Sequence, residues 1–266
     1  MKKYFIVSDI HSFFLEMRRD LFKAGFRKKN KNHILIVLGD LADRGPGSRE
    51  VYDYIRSIPK ERRILIRGNH ELLLRDAIKN RVFYDTDYRN GTLGTIMQIT
   101  GCEYLDCVYD PGFVCDEFKK SEILDWIFGP EWQNYAEIGN YIFVHSWIPI
   151  SIEDGSKYYD LDPSSRLQYR PDWREASQQD WEKAMWYNPV ILASKGLKPQ
   201  GSTIVCGHWH TSDFRATLDH DYTNYSKNYD IYRGHGCIAL DATTVRSGFV
   251  NVLVLTEEEL HEPIRE

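Results

Sequence analysis

Several things are scarce in this 266-residue chain, and each scarcity removes a class of protein. Cysteine is rare: Cys102, Cys107, Cys115, Cys206 and Cys237 are odd in number and lack C-x-x-C spacing. Neither a disulfide framework nor a structural zinc site is therefore indicated, leaving buried, inert thiols as the expectation. Basic charge is not in excess, since the formal net charge is -5 and the pI about 6.0. Dedicated nucleic-acid binding, which needs a basic field to hold phosphates, is not expected. Long apolar runs are missing as well, so no membrane partner is expected. Met1-Lys2-Lys3-Tyr4 leads straight into an apolar run too short for a signal-peptide core, which makes the expected location cytoplasmic. No internal repeat, low-complexity tract or linker interrupts the chain, so residues 1–266 read as one domain.

What is present is 42% hydrophobic and 27% charged, enough for the core of an α/β domain. Apolar runs rich in β-formers alternate with segments of helical periodicity. Tyr4 to Ser8 reads as a strand, and Ser12 is placed to cap a helix carrying Phe14, Met17, Leu21 and Ala24 on one face, stopped by Gly25. Ile34 to Leu38 is the second strand, followed by a helix with Val51, Tyr54, Ile55 and Ile58 on one face. Arg63 to Ile66 is the third, followed by a helix bearing Leu73, Leu74, Ala77 and Ile78. Residues 81–140 read as a helical excursion and 150–190 as an aromatic cap over a site, with a second hydrophobic subcore as a compatible reading. Tyr141 to Val144, Thr203 to Cys206, Ile238 to Leu240 and Phe249 to Leu255 supply the remaining strands. Strands that are apolar throughout must be covered on both faces, so the expected fold is a four-layer α/β/β/α sandwich.

Polar residues gather where these strands end. Asp9 and His11, Asp40, Asn69, His145, and His208 with His210 each follow a strand, and in open α/β sheets ligands bind beyond the carboxyl ends of strands. Oxygen and imidazole donors without thiolate suit manganese, iron, zinc or related divalent ions. Their number exceeds what one ion needs and fits two, an arrangement that clamps an in-line displacement at phosphorus.

In order and spacing, SDIHS, GDLADRG, RGNHE, FVHSWIP and CGHWH resemble the motifs of the calcineurin-like metallophosphoesterases, and more closely the branch holding the phosphoprotein phosphatases and symmetrical diadenosine tetraphosphatases. Asn90-Gly91-Thr92-Leu93-Gly94-Thr95 resembles a further stretch of that branch. The resemblance implies that Asp9, His11 and Asp40 hold one metal, that Asp40 bridges, and that Asn69, His145 and His208 complete the second. It implies hydrolysis of phosphomonoesters by a metal-bound hydroxide. Two divalent ions are expected, manganese foremost, with iron, zinc, nickel or cobalt as alternatives. Arg44 would bind phosphate oxygens and His70 would protonate the leaving group, oriented by Asp43. His210 is counted among the metal ligands because the wider group uses a G-H-x-H pair.

Three departures from the pattern bear on the substrate. Ser12 stands where glycine is usual, Ser146-Trp147 replaces two small residues, and Asn188 occupies the place of a second phosphate-binding arginine. Asn69 and Asn188 are kept with Arg44 as expected substrate contacts, and Arg166, Arg170 or Arg174 is expected to compensate for the missing guanidinium. The expected partner is a phosphorylated protein, as for a serine/threonine phosphatase, or a small phosphoester or nucleotide. A bis(5'-nucleosyl)-tetraphosphatase, with the Trp173 to Tyr187 aromatics stacking a base, and a non-catalytic metal-binding module are the alternatives.

Overall fold

The computed structural model describes residues 1–223 and 227–262. Its strands are β1 (Lys3–Val7), β2 (His33–Leu38), β3 (Arg63–Ile66), β4 (Trp132–Gln133), β5 (Tyr135–Ile138), β6 (Tyr141–Val144), β7 (Ile150–Ile152), β8 (Leu167–Tyr169), β9 (Thr203–Cys206), β10 (Tyr232–Gly234), β11 (Cys237–Ala239) and β12 (Leu253–Thr256). Two five-stranded sheets result, ordered β12-β1-β2-β3-β4 and β10-β11-β9-β6-β5, with β7 and β8 forming a separate hairpin. Parallel pairs build the first sheet apart from β12, which runs antiparallel to β1. In the second, β9 pairs in parallel with β6 and β11, while β5 and β10 add antiparallel edges.

Period-two alternation decides what each face covers. Phe5, Val7, Leu35, Val37 and Leu65 pack with Met17, Leu21, Val51, Ile55, Leu74 and Ile78 from flanking helices. Their alternates Tyr4, Ile6, Ile34, Ile36, Leu38 and Ile66 meet Phe143, Val205, Ile238 and Leu240 of the other sheet. The opposite face of that second sheet, with Ile142, Val144, Ile204, Cys206 and Ala239, buries Trp147, Trp173, Trp181, Leu192 and Phe214. The expectation of a mixed α/β architecture is thus met. Both sheets turn the carboxyl ends of their parallel strands to the same rim, where the loops carrying Asp9, Asp40, Asn69, His145 and His208 meet.

Several local expectations need correction. Ser12 does not cap the first helix, Phe14–Lys23, whose N-cap is Phe13; the Ser12 hydroxyl lies 2.7 Å from that of Ser48. Leu72 rather than Leu73 is buried, because the third helix begins at Asn69 and this shifts its inward face. The 81–140 excursion does hold five short helices, yet it also contains β4 and β5. β5 joins β6 through Gly139 at φ +57° and Asn140, a two-residue hairpin whose Gly-Asn signature is visible in the sequence. The closing strand is shorter than Phe249 to Leu255, beginning at Leu253. Trp173, Trp181 and Tyr187 are buried in the second core instead of facing a site, so the subcore reading holds for these three rings. Among the described residues no helix is long and apolar enough to cross a membrane.

Candidate active site

Parallel pairing of β1 with β2 continues past the strands and sets the site. Asp9 N donates to Gly39 O at 3.3 Å, His11 N to Asp40 O at 3.0 Å and Ser12 N to Leu41 O at 2.8 Å, so the two polar loops run side by side. Across the sheets, Gly207 N donates to His145 O at 2.7 Å. Close approach at this rim requires glycine: a Cβ on Gly39 would come within 2.9 Å of the His145 ring, and one on Gly68 within 2.8 Å of Asp40 N. Asp9, His11, Asp40, Asp43, Arg44 and His208 all hold positive φ, between 48° and 74°. Such conformations are unfavourable for residues with a Cβ and gather where surrounding contacts impose them.

Asp40 lies at the centre. Its Oδ1 accepts from His70 N at 3.0 Å and sits 3.5 Å from His145 Nε2; its Oδ2 is 3.8 Å from His11 Nε2 and 3.9 Å from His70 Nε2. Among the described residues, two triplets each bring their donor atoms within 4.8 Å of one another: His11, Asp40 and His70, and Asp40, His145 and His208. Asn69 joins the second through Oδ1, 2.8 Å from His145 Nε2. Backbone carbonyls fix the rings, with His11 Nδ1 3.0 Å from Ala42 O and His145 Nδ1 2.7 Å from Leu38 O. In the neutral rings each Nδ1 therefore donates, leaving the Nε2 lone pair beside Asp40 available to a cation.

His70 Nδ1 lies 2.6 Å from Asp43 Oδ2, and its Nε2 lies 3.3 Å from Arg44 Nη2. The expected trio is thus assembled. Sequence reasoning overlooked what holds it. Thr92 Oγ1 donates to Asp43 Oδ2 at 2.8 Å, Thr95 Oγ1 to Asp43 Oδ1 at 2.7 Å, and Asp43 N to Thr95 Oγ1 at 2.9 Å. Glu71 accepts from Asp40 N, Leu41 N and Gly68 N at 2.7 to 3.0 Å, tying two strand ends together. Both signals were present, in the glutamate closing GNHE and the threonines of the Asn90 stretch.

Other expected site residues stand apart from the two triplets. Asp9 accepts from His208 N at 3.0 Å and from the Ser8 hydroxyl, so its carboxylate is engaged beside the second triplet. His210 lies 3.7 Å from Asp213 and 4.0 Å from Asp241, and the donor triplets do not include it. Asn188 turns its amide oxygen to Val190 N at 3.1 Å and caps the helix Pro189–Ser194. The arginines expected to compensate are engaged elsewhere: Arg170 pairs with Asp172 and Asp180, and Arg174 makes a two-pronged pair with Glu137. Arg166 contributes its backbone N–H to Asp154.

Burial governs the electrostatics. It pushes the Asp9 and Asp43 carboxyls up to about 6, in Asp43 against the Thr95 and Thr92 hydroxyls, and Asp241 up to about 7 with the Asp9 charge adding. Asp40 is raised by burial and then by Glu71. His11, His70 and His208 are held below the usual imidazole range, again by burial first and then by neighbouring histidines and Arg44. Clustered carboxyls that resist ionising and imidazoles that resist protonation are the donor set a divalent cation would relieve.

The profile of the calcineurin-like phosphoesterases matches residues 2–212. The chain belongs to this family. A calcineurin-like phosphoesterase is a metal-dependent phosphoric ester hydrolase, and the His11, Asp40, His145 and His208 donors fit the divalent metals such enzymes use. Among curated relatives, a symmetrical bis(5'-nucleosyl)-tetraphosphatase of Psychromonas ingrahamii is 30% identical over 145 residues, covering 54% of this chain and 44% of that protein. An asymmetrical bis(5'-nucleosyl)-tetraphosphatase of Oceanobacillus iheyensis is 35% identical over 72 residues, covering 24% of this chain and 29% of the relative. These matches span less than half of either relative's length. Among solved structures, a mutant of a cold-active protein tyrosine phosphatase superposes with a TM-score of 0.51 at 14% identity, over 96% of this chain and 75% of its own. That likeness concerns the fold alone.

Proposed function

We propose that this phosphoesterase hydrolyses nucleotide phosphoanhydrides of the bis(5'-nucleosyl) polyphosphate class, with two divalent ions held about Asp40. The observation that carries the catalytic reading is the Asp43–His70–Arg44 arrangement facing the Asp40 donors. Bound ions would supply Lewis-acid charge and an activated water. Asp9, His11 and Asp40 would hold one and Asp40, Asn69, His145 and His208 the other, with His210 an outer residue beside Asp241. Arg44 binds the non-bridging phosphate oxygens. His70 stays neutral in the free protein, since burial and the Arg44 charge disfavour its imidazolium. A phosphate against Arg44 offsets that charge, and His70 Nε2 can then carry the proton that the departing oxygen needs, while Asp43 keeps Nδ1 in place.

Phosphomonoesters are the first expectation from the sequence, and the engagement of Arg170 and Arg174 with carboxylates favours anhydrides instead. A dianionic monoester is best held by two cationic clamps, whereas Arg44 alone suits a phosphate sharing its charge along a chain. The names of the curated relatives point the same way. With manganese present, kcat/KM on diadenosine tetraphosphate is expected to exceed that on a phosphoserine peptide by at least about tenfold, a difference of about 1.4 kcal/mol in transition-state binding. The reverse preference would return the protein to the phosphoprotein phosphatases.

A further inference from the structure

A cavity of about 540 Å³ opens within the helical excursion, lined by Phe83, Tyr84, Tyr88, Leu93, Tyr104 and Val108 among others. Its rings are unusually bare: Tyr84, Tyr88 and Tyr104 are 58%, 65% and 51% exposed, and Tyr88 meets Tyr104 edge-on at 6.3 Å between ring centroids. Exposed aromatic groups clustered about a cavity are uncommon on a surface that nothing binds. The helix that supplies part of its wall also reaches the catalytic residues. Leu93 in its wall belongs to the same helical turn as Thr92 and Thr95, whose hydroxyls hold Asp43, and Gly91 packs so tightly on the Arg44 backbone that a Cβ there would come within 2.9 Å of the Arg44 Cα. Asp85 also lines the cavity, its carboxylate paired with Arg89 at 2.6 Å.

We infer that this cavity is the nucleobase site, in which Tyr88 and Tyr104 stack a purine whose phosphates run along Gly91 to Arg44. Stacking on an exposed aromatic face is worth about 5- to 150-fold in affinity per base and tolerates different bases. The inference rests on the nucleotide reading above and replaces the Trp173 to Tyr187 aromatics, of which Trp173, Trp181 and Tyr187 are buried in the second core. An opposite flank exists, where Trp186 and Tyr158 border a smaller cavity of about 370 Å³, but its wall carries Arg75, Asp76, Glu182 and Lys183 and fewer rings.

The test compares AMP with ribose 5-phosphate as inhibitors of p-nitrophenyl phosphate hydrolysis by the manganese-loaded protein. Both carry the same phosphate, so their ratio isolates the base. AMP is expected to inhibit about tenfold better, and the ratio to fall toward one in the Tyr88→Ala, Tyr104→Ala double variant while Trp186→Ala keeps it. Equal inhibition by the two ligands in the parent protein overturns the base site whatever the variants do. A ratio lost in Trp186→Ala and kept in the tyrosine variant also overturns it, moving the base to the opposite flank. An AMP preference without hydrolysis of diadenosine tetraphosphate would leave the base site standing and defeat the anhydride reading.

Discussion

The rim of the two sheets and the aromatic core around Trp173, Trp181 and Tyr187 are both buried, yet they bury opposite chemistry. At the rim, Asp9, Asp40, Asp43, His70 and His145 are each at most 5% exposed, and the three aspartates sit on backbone of positive φ, so polar groups are held where desolvation penalises charge. In the aromatic core, Trp173 and Trp181 meet at 5.9 Å, and Tyr135 stacks on Trp181 at 5.0 Å with 9° between planes. One region accumulates unfavourable desolvation; the other supplies the apolar burial that offsets it. Burial by itself therefore does not distinguish a site from a core. Unmet electrostatic demand does.

The largest separation of the two regions should come from Asp40→Asn. Removing the central carboxylate is expected to reduce turnover by about 10³-fold or more and to lower bound metal, measured by atomic absorption, with the far-UV spectrum unchanged. Full metal content in this variant would contradict the central place of Asp40. Trp173→Ala should do the converse, costing about 3 to 5 kcal/mol in urea unfolding while the surviving folded protein keeps its kcat. If kcat collapses instead, the segment is not merely core.

A smaller effect is expected from Thr95→Val. Loss of one hydroxyl from Asp43 should lower kcat by about tenfold and shift the acidic limb of its pH profile, because the orientation of His70 is relayed through that carboxylate. An unchanged profile would assign Thr95 to packing.

The mildest prediction concerns pH. Asp9 and Asp43, raised to about 6 from 3.8, bind protons in the folded state that the unfolded chain has released. Their stabilisation is present below about pH 4 and is lost as pH rises through about 6. His11, His70 and His208, lowered by burial, act with the opposite sign and lose stability as pH falls below the unfolded value of 6.5. Cations need the carboxylates ionised and the imidazoles neutral, both favoured by rising pH. A fixed manganese concentration, about 100 times the Kd at pH 7.5, should thus raise Tm by about 5 to 10 °C at that pH, and by less at pH 5. Equal gains at both values would dissociate metal binding from these groups.

How far the molecule is legible in advance depends on where each signal is encoded. Strands β1, β2, β3, β6 and β9 are legible because each is a short apolar run next to its own turn residues, and the polar groups after them are legible because a strand end exposes the residues just beyond it. The role of Glu71 is not, since it joins Gly68 of its own loop to Asp40 and Leu41 of another, two loops that only the parallel register of β2 and β3 brings together. The aromatic segment misleads for a related reason. Periodicity is weak in helices of seven residues or fewer such as Gln178–Ala184, so nothing local says whether Trp181 faces a site or a sheet.

The sequence by itself determined the alternating α/β order, the donor types at five strand ends and, through motif spacing, the family. Those are properties of short stretches of chain. Tertiary structure alone decided that Thr92 and Thr95 grip Asp43, that Arg170 and Arg174 are held by carboxylates, and that Tyr84, Tyr88 and Tyr104 stay exposed about one cavity. Each of these depends on which distant segments share a volume. No local propensity encodes that; long-range packing does.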